Sequence, residues 1–140
     1  MGIKRLDNVA IVVADLDEAI EFFSTLGMEL DGRAFVEGEF ADISVGLPGI
    51  KSEIAVLQTP DGHSRVELSQ YLNPKPILVD PTAQNTVGVH RLMFAVDNIE
   101  QTLDAIGAEP INGIADYENT YRLCYLRGPS GILVALAQEI

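Results

Sequence analysis

Glu67 and Arg91 are the two side chains whose setting in this sequence points most directly to chemistry. Glu67 stands in the apolar run Val66-Glu67-Leu68, and Arg91 opens the run Leu92-Met93-Phe94-Ala95-Val96. A carboxylate in such a run can act as a general base. A guanidinium has a fixed charge and a fork of donors, so it can grip a carboxylate, enolate or phosphate. Asp42 with Glu67 would make a carboxylate pair for proton transfer, although an Asp between two turns is more often a rim residue. Tyr117, Tyr121, Arg122, Cys124 and Tyr125 form an aromatic stretch before the last turn. Either Tyr121 and Tyr125, or Arg122 and Cys124, face a cavity, and tyrosines there suit a pocket wall or a half-buried strand. His63 follows the turn Pro60-Asp61-Gly62, where a histidine is usually solvated. Ser64 and Ser69 with a distant histidine make no nucleophile set. Gly46-Leu47-Pro48-Gly49 is a turn and not a phosphate loop.

The elements that must position these residues come in two copies. The segment from Asn8 to Ile20 lies without a gap over the segment from Arg91 to Leu103. In both, an alternating apolar run leads into an acidic or amide turn and then an amphipathic run. In the first copy residues 6–14 read as a strand. Asp15 with Glu18 resembles a capping box, Leu16, Ala19, Ile20 and Phe23 recur at helical spacing, and Gly27 stops the helix. Strands are expected at 38–47, 51–59 and 64–70, giving the order β-α-β-β-β. Residues 72–86, with Pro74, Pro76 and Pro81, read as a linker between module one, 1–71, and module two, 87–140. In the second copy strand 88–96 leads to Asn98 and Gln101 as cap and box residue, then Leu103, Ile106 and Gly107. A short strand near 110–114 and strands at 120–127 and 131–137 complete it. Thr59-Pro60-Asp61-Gly62 before Val66-Glu67-Leu68 corresponds to Gly128-Pro129-Ser130-Gly131 before Val134-Ala135-Leu136. A chain of two similar halves usually forms one site between them.

Strand alternation sorts the side chains by face. Val9, Ile11 and Val13 should pack beneath the first helix, leaving Asn8, Ala10 and Val12 on the concave side. Leu92, Phe94 and Val96 pack likewise, leaving Arg91, Met93 and Ala95 concave. Val66 and Leu68 pack, so Arg65, Glu67 and Ser69 face inward. Val134 and Leu136 pack, so Leu133, Ala135 and Ala137 face inward. In 38–47, Ala41, Ile43 and Val45 are expected on the helix side and Phe40, Asp42 and Ser44 on the concave side. The repeat relates Asn8 to Arg91 and Glu67 to Ala135.

The chain has 140 residues, one domain in size, with 47% hydrophobic residues and a formal net charge of -12. Such a charge repels phosphate backbones and anionic lipid surfaces, which argues against nucleic acid or membrane partners. No apolar run reaches about 18 residues, and the start Met1-Gly2-Ile3-Lys4-Arg5 lacks an apolar signal core. The only cysteine is Cys124, so no intrachain disulfide can form. These features fit a cytoplasmic protein.

The pattern resembles the vicinal oxygen chelate superfamily of glyoxalase I, methylmalonyl-CoA epimerase, extradiol dioxygenases, fosfomycin-resistance enzymes and bleomycin-binding proteins. The carrying residues run from Leu6 to Phe23, from Arg65 to Leu68, from Gly88 to Ile99 and from Gly128 to Val134. The resemblance implies an α+β fold of two βαβββ modules, a curled mixed sheet around a shared cavity. Metal enzymes of the family hold a divalent ion with a His on the first strand, a Glu or Gln on the fourth, and a His and a Glu at the equivalent places in the second module. Those positions here are Asn8, Glu67, Arg91 and Ala135. One of the four ligands survives. Asn8 offers a weak amide oxygen, Arg91 has no lone pair to give and Ala135 contributes nothing. His90 is adjacent, but alternation turns it to the other face unless a one-residue bulge swings it inward. The expectation is therefore no metal and no cofactor, with Arg91 in the metal's place beside Glu67. That pair would either bind an anionic ligand or simply close the cavity.

Three functions follow. The first is a metal-free small-molecule-binding protein with the ligand between the modules, like the bleomycin-binding relatives. Glu67 and Arg91 would be its active pair, and Asn8, Asp42, Met93, Tyr121, Tyr125 and Ala135 its ligand-binding residues. The second is an enzyme, a lyase, isomerase or epimerase of glyoxalase type, with Glu67 as base and Arg91 stabilising an anion. The third is a remnant whose cavity is filled by its own side chains. Many relatives pair modules between chains, which implies a homodimer.

Overall fold

Two amphipathic helices, each started by an acid or amide side chain and stopped by glycine, anchor the fold. In a computed structural model describing residues 2–140, Asp15 Oδ1 accepts from the Glu18 N–H at 3.0 Å and Asn98 Oδ1 accepts from the Gln101 N–H at 2.9 Å. These caps satisfy donors that the first helical turn leaves orphaned. Helix α1 spans Leu16–Leu26. It is preceded by β1, Val9–Val12, and followed by β2, Glu29–Glu37. Then come helix α2, Glu39–Val45, and strands β3, Lys51–Gln58, and β4, Arg65–Asn73. The second half has β5, Leu92–Ala95, α3, Ile99–Ile106, β6, Ala115–Tyr117, β7, Tyr121–Arg127, and β8, Leu133–Glu139.

Each half builds a mixed four-stranded sheet of the same order, β1-β4-β3-β2 and β5-β8-β7-β6. The pairs β1–β4 and β5–β8 are parallel, and every other pairing is antiparallel. The chain divides into one compact unit up to Leu78 and a second from Val79 to Ile140. In the first, Leu16, Ala19 and Phe23 of α1 and Ala55, Leu57, Val66 and Leu68 of the sheet are buried. In the second, Ile99 and Leu103 of α3 and Cys124, Leu126, Val134 and Leu136 of the sheet are buried. Apolar burial on one face of each sheet is the main stabilising term. The α+β fold of two β-α-β-β-β-type modules is as the sequence implies.

Four boundaries differ from the sequence expectation. Residues 38–47 hold no strand; they form α2, capped by Gly46 in the left-handed conformation at φ 83°. Only Ala41 of this helix is buried, while Ile43 and Val45 are exposed. The seven residues Glu39–Val45, with apolar Phe40, Ala41, Ile43 and Val45 among polar ones, fit either period, and length alone cannot decide it. The missing strand is β2, whose residues are all exposed but Val36. As an edge strand held by its backbone to β3, it buries no alternating set of side chains to betray it. The short strand expected near 110–114 lies instead at Ala115–Tyr117. Strands β1 and β5 are shorter than the runs that marked them, so His90 and Arg91 precede β5.

Candidate functional site

Strand β7 settles which residues face the open side of the second sheet. Its alternation puts Arg122, Cys124 and Leu126 under α3, and Tyr121, Leu123 and Tyr125 on the other face. Arg122 forms a bidentate ion pair with Glu100 of α3 and a second contact with Asp116 at 3.4 Å. The Arg122 hydrogen bond holds the Glu100 carboxyl below its usual value, and Glu100 raises Arg122 in turn. Burial pushes the Cys124 thiol up, as desolvation disfavours the thiolate. Neither residue is therefore available to a ligand on the open face.

On that face the strands stack in rungs. Met93, Ala135 and Tyr125 are register partners, and Ala95, Ala137 and Leu123 form the next rung. Glu139 pairs with Tyr121 at the far end. A cavity of about 570 Å³ lies over the Ala95–Ala137–Leu123 rung and the far end and reaches Met93 and Arg91, within the usual range for small-molecule sites. Its lining includes Arg91, Met93, Asp97, Tyr121, Leu123 and Glu139. The Arg91 guanidinium sits over the Tyr125 ring, 5.5 Å from its centroid. Its Nη1 donates to His90 Nδ1 at 3.3 Å. The His90 ring meets Tyr125 edge-on at 5.6 Å. Because His90 precedes the strand, alternation does not govern it, and no bulge is needed to place it beside Arg91. Tyr117 stacks on Tyr121 with centroids 5.3 Å apart.

Of the residues singled out from the sequence, the second unit brings Arg91, Met93, Tyr121, Tyr125 and Ala135 to one face. Ala135 is fully buried, between its register partners Met93 and Tyr125 on the neighbouring strands. In the first unit, Glu67 is half-buried, paired in register with Ala10 and Val56, and Asn8 immediately precedes β1. Asp42 does not lie on a concave strand. It sits in α2, where its Oδ2 accepts from the Gly49 N–H at 3.0 Å and its Oδ1 from the Ile50 N–H at 2.8 Å. Both oxygens are thus spent on closing the loop into β3. The sequence reading missed Asp97, Leu123 and Glu139 as lining residues. Extending the alternation of Ala135 and Ala137 by one step would have found Glu139.

The donor set does not suit the divalent ion that metal enzymes of this fold hold. Arg91 presents only donors and a permanent charge, and its planar group is already engaged with His90 and Tyr125. Ala135 brings a methyl group. Among the described residues no three His, Cys, Asp or Glu side chains gather where they could hold an ion. Among the described residues no helix is long and apolar enough to cross a membrane.

No curated protein matches the chain. Solved structures do. A glyoxalase family protein from Bacillus cereus is 48% identical, with a TM-score of 0.94 over 100% of this chain and 97% of that one. A glyoxalase family protein from Enterococcus faecalis is 18% identical, with a TM-score of 0.68 over 99% of this chain and 100% of that one. A fosfomycin resistance protein from Listeria monocytogenes, solved with Mn(II) and sulfate, is 14% identical, with a TM-score of 0.60 over 99% and 95%. The last two speak to fold alone. A family profile matches residues 5–136, and with it the repeat, the strand order and the Bacillus relative place this chain in the glyoxalase/bleomycin resistance protein/dioxygenase superfamily.

Proposed function

We propose that this chain is a metal-independent small-molecule-binding protein in which Arg91 receives an anionic group of the ligand. The supporting observation is the Arg91 guanidinium itself, stacked on Tyr125 at the edge of a 570 Å³ cavity. Within its unit it has no carboxylate partner. Its one hydrogen bond, to His90, leaves other N–H donors for a ligand. A guanidinium fixed on an aromatic face keeps its fork in one orientation, which lowers the ordering cost of gripping a carboxylate. Met93, Leu123 and Tyr121 supply apolar and aromatic surface beside it.

The test uses 4-hydroxybenzoate as probe, titrated by ligand-observed NMR. Arg91→Met should weaken binding at least tenfold, as expected for losing a charged hydrogen-bonded contact, and Arg91→Lys should fall between. Equal binding by wild type and Arg91→Met overturns the reading. So does a tightly held divalent ion, one per chain, in untagged protein.

A second reading, catalysis with Glu67 as general base for a lyase or isomerase, is favoured by one feature. Glu67 is half-buried on the sheet face away from α1, and among the described residues its carboxylate has no hydrogen-bond or ion-pair partner within its own unit. In a catalyst Glu67→Gln collapses turnover, whereas in a binder it changes affinity modestly.

A further inference from the structure

We infer that the ligand of the second-unit cavity is an elongated zwitterion, anionic at the end that meets Arg91, apolar in the middle and cationic at the end that meets Asp97 and Glu139. The inference rests on the Arg91 reading and adds the other two-thirds of the molecule.

The observation is the order of charges along the strands. Arg91 lies two residues before Met93, with its guanidinium over Tyr125 of the Met93–Ala135–Tyr125 rung and His90 beside it. The middle rung is Ala95, Ala137 and Leu123, which carries no charge and little bulk. Two alanines side by side make a low floor on which a flat or extended apolar group can lie. The far end carries Glu139, opposite Tyr121, and Asp97, which follows β5. Glu139 is on this face by the alternation that carries Ala135 and Ala137. Its neighbour Gln138, also at the cavity wall, caps α3, its Oε1 accepting from the Ile99 N–H at 2.9 Å. Neither Asp97 nor Glu139 has a basic partner within the unit, whereas Glu100 and Asp116, under the helix, are paired with Arg122.

Four strand steps separate Ala135 from Glu139, about 13 Å at the usual rise per residue. An extended tripeptide spans about 10 Å between its termini, which the two carboxylate side chains can close. The stacked Tyr117–Tyr121 pair adds an aromatic surface near the acidic end. A purely anionic ligand of this length would place negative charge against Asp97 and Glu139. A purely cationic one would meet Arg91.

The probe is the tripeptide alanyl-phenylalanyl-alanine in three forms: both termini free, N-acetylated, and C-amidated. Affinities are read by ligand-observed NMR at millimolar peptide. The free form should bind at least threefold tighter than either capped form. The double variant Asp97→Asn with Glu139→Gln should bring the free peptide down to the level of the acetylated one, and Arg91→Met should bring it to the level of the amidated one. Equal affinity of free and acetylated peptide, with both still sensitive to Arg91→Met, overturns the inference and leaves the Arg91 reading standing. Insensitivity of every form to Arg91→Met overturns both. A wild-type chain that binds none of the three also overturns the inference.

Discussion

Asp42 shows how much a single carboxylate's meaning depends on its backbone. Between two turns and in register with Phe40 and Ser44 it reads as one half of a proton-transfer pair. In the folded chain its two oxygens each take a backbone N–H, from Gly49 and Ile50, and neither is left for a substrate. Ile50 is buried, so its N–H has no ready solvent replacement. Asp42→Ala should therefore lower stability by about 1–3 kcal/mol, the cost of leaving a partly buried donor unmade. The expected result is a lower urea midpoint with an unchanged slope and unchanged ligand affinity at Arg91. Loss of ligand binding at undiminished stability would instead return Asp42 to the site. Arg91 is the opposite case. Its residue type alone excludes it from ligating a cation, and the structure adds only where it rests, on Tyr125 and beside His90.

At the scale of elements, the repeat extends further than its most obvious segment. Val66, Leu68 and Gln70 in β4 correspond to Val134, Leu136 and Gln138 in β8. Both glutamines do the same work: Gln70 Oε1 accepts from the Leu16 N–H at 2.8 Å, as Gln138 Oε1 does from Ile99. Each ties the start of a helix to the sheet beneath it and satisfies an N–H that the helix cannot. Gln70→Ala and Gln138→Ala should each cost about 1 kcal/mol, with faster amide exchange at Leu16 and Ile99 respectively. An unchanged exchange rate would mean water replaces the amide without loss. The Arg122–Glu100 pair ties α3 to β7 in a different way, and its sign with pH is fixed. Glu100 is held below its usual value by Arg122, so its contribution is complete above the ordinary carboxylate pKa of about 4.3 and fades as pH falls through the lowered one. The stability gap between wild type and Arg122→Gln should be flat from neutral pH to about 5 and narrow below about 4. A gap that widens on acidification would overturn this. These elements also show what the sequence carries. Helices α1 and α3 were legible because caps, period and glycine stops agree. Strand β2 was not, because an exposed edge strand buries no alternating set. The faces of β1, β5 and β8 followed from alternation. That of β7 did not, because Tyr121 and Tyr125 suit a wall and Arg122 and Cys124 offer a rival set until α3 supplies Glu100.

For the whole molecule, the dominant electrical fact is the net charge of -12. Among the described residues three arginines, Arg5, Arg33 and Arg122, are engaged in ion pairs, all at exposed or partly exposed positions. Salt screens those attractions, and it also screens the repulsion among the unmatched carboxylates. The two effects oppose each other, and the excess of 21 acidic over 9 basic side chains decides between them. Repulsion acts over the whole surface and destabilises the compact state, whereas a surface ion pair contributes little. Raising NaCl from 0.01 to 0.5 M at pH 7 should therefore raise Tm by about 2–5 °C, roughly 1 kcal/mol for a chain of this size. The same excess charge vanishes as pH approaches the isoelectric point near 4.3, so the benefit of salt should shrink on acidification. A Tm that falls with salt at pH 7 would mean that the ion pairs around Arg33 and Arg122 outweigh the field. The field also bears on the ligand. Against a background that repels anions, a binding site for one needs a local cation held in place, and Arg91 on Tyr125 supplies it. A zwitterion meets far less of that long-range repulsion than an anion does, which is why the acidic far end of the cavity and the acidity of the whole chain fit the same ligand.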